Sequence, residues 1–282
     1  MTWGFVFILP FSLGVITVYF ASEKRQNSLA FRILMPWVSA TVSLLLTIVT
    51  GLEGTICMIM ALPIYLFMSS IGGVLTGIYL NHNSNRPNRL VFLSIFLFLP
   101  FTEARIENNF PLITEIRTVH STIDIKANSK TVWSHITRIP KITEKQSGLF
   151  YTMGFPKPVE ATLSHDGVGG IREAKFERGL MFLETITVWE ENKRLIFTIK
   201  SDPEKTPLTT LDPHVVVGGD YFDTLLGKYE IEILDNNTIR LHLESKFRIS
   251  TRFNFYAHLW SDFLMRDIQE NILRVIKERC EK

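Results

Sequence analysis

Hydrophobic residues are distributed in two different ways along this chain. Up to about Phe101 they form long uncharged runs. From about Thr102 onward they alternate with polar residues or recur every three to four positions. The first run, Thr2 to Phe20, has nineteen residues, close to the roughly 20 needed to cross a bilayer core. Ile33–Thr50 predicts a second span, and Thr55–Leu80 a third that crosses with tilt. Leu90–Phe101 predicts about 18 Å of helix against roughly 30 Å of hydrocarbon. It is either a fourth span extended through Thr102–Ile106 or a helix lying at the interface. A signal peptide fits the first run poorly, because no basic segment precedes it and further apolar runs follow.

The second part reads as strands and helices. Arg117–Ile125 alternates, with Val119, Ser121, Ile123 and Ile125 on one face. Ala127-Asn128-Ser129 supplies capping residues for a helix, Lys130–Arg138, that buries Val132, Trp133 and Ile136. Pro140 predicts a second short helix over Lys141–Gln146, and Val159–Ser164 the next strand. Val168–Lys200 predicts three strands with turns at Arg178-Gly179 and Glu191-Asn192-Lys193. Ala174 and Phe176 share a face with Arg172. Phe182, Ile186 and Val188 share one with Glu184, and Leu195, Phe197 and Ile199 share one on the third strand. A Pro-containing loop, Asp202–Asp212, has a length that goes with function or disorder. Two further strands, Tyr221–Leu234 (Tyr229, Ile231 and Ile233 on one side) and Thr238–Ile249 (Ile239, Leu241, Leu243 and Phe247 inward), flank a turn at Asp235-Asn236-Asn237. A helix over Phe253–Glu281 closes the chain. Its stripe contains Tyr256, Leu259, Trp260, Phe263, Leu264, Ile268, Ile272, Val275 and Ile276. At about 43 Å it is long enough to cross a sheet of this size. The expectation is a transmembrane all-α region of three or four helices over 1–108 and an α+β domain over 109–282, a curved antiparallel sheet around one long helix.

Charge adds orientation. The formal net charge is +2, with no basic block to follow a phosphate backbone, so nucleic acid is excluded as a partner. Lys24, Arg25 and Arg32 flank the first connection, and Arg86 and Arg89 sit in the third, while Gly51–Gly54 between them has no Lys or Arg. The positive-inside rule then places the N-terminus outside. Four spans put the globular domain outside as well, and three put it in the cytoplasm. The expectation carried forward is a multi-pass protein (of the cytoplasmic membrane if bacterial) with an extracytoplasmic domain. Gly73 and Gly77 form a GxxxG pattern that predicts helix–helix self-association. Pro10, Pro36 and Pro63 predict kinks. No Asp, Glu, Lys, Arg or His lies well inside the first three runs, which argues for an anchor rather than a coupled transporter.

Three segments of the second part carry a family resemblance. "STIDIKANSKTVWSHI" is similar to the opening strand and Val-Trp helix of the helix-grip proteins, the SRPBCC (Bet v 1-like, START-like, polyketide cyclase/dehydrase) superfamily. "GVGGIREAKFERG" resembles their G-x-G-x-R strand, and "ETITVWEENKRLIFTI" their strand–turn–strand. The resemblance spans roughly Ile116–Lys282 and implies an apolar cavity for a lipid, sterol, polyketide or other hydrophobic ligand. It does not separate binding from catalysis.

Arg172 and Glu184 are the best-motivated site residues, because two charges set into an apolar face pair if both are buried. The reading gives them a ligand head group to anchor, a purely structural ion pair, or a strand end where the side chains reach water. Ala174, Phe176, Ile186, Phe197, Tyr229, Tyr256 and Trp260 are candidate cavity lining. His214, Asp220 and Tyr221 are candidates for its mouth, and His258 on the long helix could face either way. No Ser–His–Asp arrangement, phosphate loop, zinc spacing or cofactor motif is present, and Cys57 and Cys280 make no disulfide framework. The balance favours a membrane-anchored carrier of a hydrophobic small molecule or lipid. The alternatives are a cyclase/dehydratase-type enzyme on an apolar substrate, or a structural or regulatory membrane protein with a filled core. A cavity of several hundred Å³ would favour binding or catalysis.

Overall fold

The computed structural model describes residues 2–83, 88–107, 109–201, 215–235 and 237–282, with 103–106 by their backbone alone. Arg86, the whole Asp202–Asp212 loop with its prolines, His214 and Asn236 lie outside the described residues. The chain divides into two compact units, Met1–Leu112 and Ile113–Lys282.

The first unit is all helical. A π turn, Gly4–Ile8, leads into α1 (Leu9–Tyr19). The short α2 (Glu23–Gln26) precedes α3 (Leu29–Val49), α4 (Thr55–His82) and α5 (Arg89–Glu107). α3 and α4 are long and apolar enough to cross a membrane. Gly4–Tyr19 and Arg89–Thr102 are apolar but shorter. α1 and α4 approach closely because both carry glycine at the crossing. A Cβ on Gly14 would lie 1.9 Å from the Ser69 carbonyl oxygen, and one on Gly72 2.2 Å from that of Phe11.

Two expectations for this unit are corrected. Gly73 and Gly77 do not face outward for self-association, because both are buried inside their own bundle. A Cβ on Gly73 would meet the Arg32 carbonyl oxygen at 2.2 Å, and one on Gly77 the Arg32 guanidinium. The second long helix also starts before the predicted Ile33. Ser28 accepts from the Phe31 amide and starts α3 at Leu29, which places Arg32 in the first turn, buried against Gly77. Its Nε donates to the Gln26 carbonyl oxygen at 2.5 Å, and Gln26 Nε2 donates to the carbonyls of Val18, Tyr19 and Ala21. The outer surface is apolar, with Leu34, Leu45, Val49, Phe67 and Phe98 exposed.

The second unit is a seven-stranded antiparallel sheet, ordered β1-β7-β6-β5-β4-β3-β2, packed on one long helix. The strands are β1 (Ile113–Ile125), β2 (Pro158–Leu163), β3 (Ile171–Phe176), β4 (Met181–Glu190), β5 (Arg194–Ser201), β6 (Phe222–Ile233) and β7 (Ile239–Thr251). Helices α6 (Ser129–Thr137) and α7 (Leu149–Thr152) lie between β1 and β2, and α8 (Asn254–Cys280) closes the chain across β1 and β7. This is the helix-grip architecture. β1 starts earlier than predicted because Ile113 pairs with Thr251 at the far end of β7.

The helix predicted over Lys141–Gln146 is absent. Pro140 disfavours helical backbone in the residue before it, and the segment instead pairs along the outside of β2. Ile139 exchanges backbone hydrogen bonds with Ala161, and the Ile142 amide donates to Val159. The short helix forms later, at α7, where the Phe150 amide donates to the Asp267 carboxylate of α8. In β4 a bulge between Ile186 and Val188 reverses the predicted parity. Trp189, not Val188, then faces the core, opposite Leu195 and edge-on to Trp133 at 5.0 Å. Ile233 keeps its predicted side but is 70% exposed at the strand end. On α8, Leu259 and Phe263 are exposed, while Gln269 and Asn271 are buried. The core joins Ile125, Val132, Ile136, Ile186, Leu195, Leu241, Leu273 and Ile276. Each such side chain contributes roughly 1.5–3 kcal/mol on burial.

Candidate functional site

Sheet and helix do not close completely on each other. Between the inner faces of β2–β7 and the middle of α8 lies a cavity of about 120 Å³. Its wall is mostly apolar: Ala174 and Phe176 from β3, Phe182 from β4, Phe197 and Ile199 from β5, and Met265, Ile268 and Ile272 from α8. Ile139, Ile142 and Phe155 come from the segment that pairs along β2 and its continuation. Several hundred Å³ would have matched the usual pocket for a drug-sized ligand, and a filled core would have left no void. The observed cavity is neither. It has room for about one small ring, by comparison with an engineered apolar cavity of about 150 Å³ that takes benzene.

The register of the sheet builds a polar feature into this wall. Arg172 and Glu184 are direct cross-strand partners on β3 and β4. Arg172 Nη1 donates to Glu184 Oε2, and the residues are only 3% and 6% exposed. The Phe197 ring lies under the guanidinium, 5.5 Å from its centroid. Phe197 can lie there because its partner on β6 is Gly227. A Cβ at that position would sit 2.4 Å from the ring. Two residues further along β6, Tyr229 is buried on the same wall, and its phenol and the Arg172 guanidinium each act on the other's charge.

Burial and pairing oppose each other in this cluster. Burial works against the Arg172 charge, but Glu184 and Tyr229 outweigh it and hold the guanidinium above its ordinary value. Burial pushes the Glu184 carboxyl up, and the pull of Arg172 only partly reverses this. Burial also pushes the Tyr229 phenol up to about 12, with Arg172 pulling the other way.

Of the residues singled out from sequence, Arg172, Ala174, Phe176, Glu184, Phe197 and Tyr229 stand together on the cavity wall. Ile186 does not. It is packed in the neighbouring core with Leu195 and Trp133. Tyr256 and Trp260 lie on the first turns of α8, away from the cavity, whose helical wall begins at Met265. His258 is hydrogen-bonded to the Asn254 carbonyl one turn back and is not on the wall. Asp220 is exposed and Tyr221 half-buried outside the cavity, and Val217 just before them reaches it.

Gln269 was missed. It is 1% exposed, accepts from Ser121 Oγ at 2.8 Å, and donates to the Val119 carbonyl and Ser245 Oγ. It thus ties α8 to β1 and β7 at the cavity edge. Its position three residues before Ile272 places it on the apolar stripe, which was the available signal. Among the described residues no group of three or more His, Cys, Asp or Glu is placed to hold a metal ion. The wall offers hydrogen bonding and apolar contact.

No protein-family model and no curated protein matches this chain. Solved structures do match it at low similarity. The Zhui aromatase/cyclase from Streptomyces sp. R1128 is 12% identical, with 59% of this chain and 94% of that one covered at a TM-score of 0.39. The XoxI protein from Bacillus cereus is 12% identical, covering 58% and 94% at 0.36. Norcoclaurine synthase from Thalictrum flavum, solved with dopamine and hydroxybenzaldehyde, is 11% identical, covering 60% and 91% at 0.35. Similarity this low carries no statement about activity.

Proposed function

We propose that this chain is a membrane-anchored binding protein whose C-terminal unit holds a small hydrophobic molecule, or the hydrophobic end of a larger one, in its helix-grip cavity. The observation that carries the reading is a void left in an otherwise packed core, with a buried Arg172–Glu184–Tyr229 cluster on an apolar wall. A wall built only for packing would gain more from apolar side chains than from a desolvated ion pair. The void itself favours binding over a filled structural core.

Anchoring is supported by α3 and α4, whose length and apolarity suit a bilayer, and by the apolar outer surface of the first unit. With α1 and α5 as further spans the count is four, and the C-terminal unit then lies on the N-terminal, extracytoplasmic side. α5 runs for nineteen residues, of which Arg89–Thr102 are apolar, and the four-span arrangement rests on counting it as a short span.

Mass spectrometry of small molecules co-purifying with the detergent-extracted full chain tests the binding reading. The expected outcome is an apolar compound enriched over the Arg172→Met/Glu184→Gln variant. Recovery of nothing above background from the folded chain counts against it. A C-terminal topology reporter tests the side of the membrane.

A further inference from the structure

The cavity wall carries one donor that the protein leaves unused. Arg172 Nη1 donates to Glu184, but Arg172 Nε–H has no partner among the described residues although the residue is buried. Phe197 covers one face of the guanidinium, so a partner for Nε has to arrive in its plane. The neighbouring polar wall residue Gln269 has both ends of its amide engaged by Ser121, Val119 and Ser245. Among the described wall residues, Arg172 Nε is the buried side-chain atom left with no hydrogen-bond partner, and most of the wall around it is apolar.

Charge narrows the choice of partner. Glu184 already balances Arg172, so an anionic ligand would bring an uncompensated negative charge beside a buried carboxylate. A cation would do the same beside the guanidinium. A pure hydrocarbon fits the apolar wall but seals the Nε–H away from any acceptor, which is the costly way to bury a donor. A neutral oxygen acceptor on an otherwise apolar body meets all three conditions, and the volume of about 120 Å³ limits that body. Resting on the binding reading above, we propose that the cavity takes a neutral molecule or terminal group of about one small ring, whose carbonyl or ether oxygen accepts from Arg172 Nε.

Three probes of similar size separate the possibilities: cyclopentanone, methylcyclopentane and cyclobutanecarboxylate. Each is titrated into the full-length, detergent-solubilised protein and followed by saturation-transfer NMR. The same titrations into protein-free micelles of the same detergent subtract partition into the micelle. The expected result is that cyclopentanone binds about tenfold more tightly than either other probe, an advantage typical of one satisfied hydrogen bond, and loses that advantage in the Arg172→Met/Glu184→Gln double variant. Arg172→Lys keeps the charge beside Glu184 and removes the Nε–H. It gives the same reading if the double variant does not fold. Equal binding of methylcyclopentane, or preference for the carboxylate, overturns the acceptor assignment and leaves the binding reading standing. Failure of all three probes to bind the folded chain overturns the binding reading, and this assignment with it.

Discussion

Two arginine–glutamate pairs in the C-terminal unit have the same chemistry and opposite electrostatics. Arg279 grips Glu144 with Nε at 3.0 Å and Nη2 at 2.9 Å near the C-terminal end of α8, and Lys282 lies 3.6 Å away. Arg172 holds Glu184 in the cavity wall. Each glutamate shows only 8% of its side chain to solvent. Yet Glu144 is lowered to about 2, mainly by the Arg279 hydrogen bonds, while Glu184 is raised by burial. Depth explains this better than exposed area. Glu144 lies at the surface beneath the side chains that pair with it, and water sits just beyond them. Glu184 is enclosed by sheet and helix, where the lost hydration exceeds what one guanidinium returns. The first pair fastens a loop to a helix. The second is stored polarity in an apolar site, which is the reason to read function into it.

The largest expected effect breaks the deep pair from one side. Arg172→Met leaves Glu184 buried alone and should cost about 3–5 kcal/mol, read by urea unfolding through the near-UV signal of Trp133 and Trp189. Adding Glu184→Gln should recover most of that loss. Equal losses in the single and double variants would mean that the pair is not what the wall depends on. In the first unit, Gly14→Val should cost about 3 kcal/mol, at the upper end of overpacking, because its side chain would meet the Ser69 backbone, and thermal unfolding in detergent would record it. Gly227→Ala should cost about 1–3 kcal/mol. It should also displace Phe197 from beneath Arg172, visible as a loss of the ring-current shift on the guanidinium protons.

The smallest effects belong to the shallow pair. Glu144→Gln should cost about 1 kcal/mol and should change the acid limb of stability in a defined direction. The folded value of Glu144 lies below its ordinary 4.5. Its contribution is therefore complete above 4.5 and is lost as the pH falls through about 2. Glu184 runs the other way. Its folded value is raised, so its contribution is present below the usual carboxylate range and is lost as the pH rises through the folded value. Urea midpoints of the chain and the two Gln variants across acid pH would give opposite slopes. Parallel slopes would sink the contrast between deep and shallow.

Much of this was legible before any coordinates. The period-two runs located β1 and β3–β7, and the period of three to four located α8, because burying one face of a strand or helix leaves its repeat in the sequence. Arg172 and Glu184 stood out because a charge in an apolar parity is rare. Val188 and Trp189 were not separable, since a bulge adds one residue without marking the sequence. The stretch after Pro140 was misread because its backbone partners are in β2, and no local pattern reports a long-range pair. Tyr256 and Trp260 matched the helical stripe of α8, yet only the middle of that helix meets the void.

The sequence by itself determined the division into an apolar helical part and an alternating part, the strand–helix order of the second, and the presence of two charges on an inward face. Local periodicity and composition carry those properties. Only the tertiary structure decided that Gly73 and Gly77 close on Arg32 rather than on another molecule. It also decided that the void holds about 120 Å³, and that Arg172 Nε is left without a partner among the described residues. Each of these depends on how elements distant in sequence pack and on which donors that packing leaves over, and a one-dimensional pattern does not encode it.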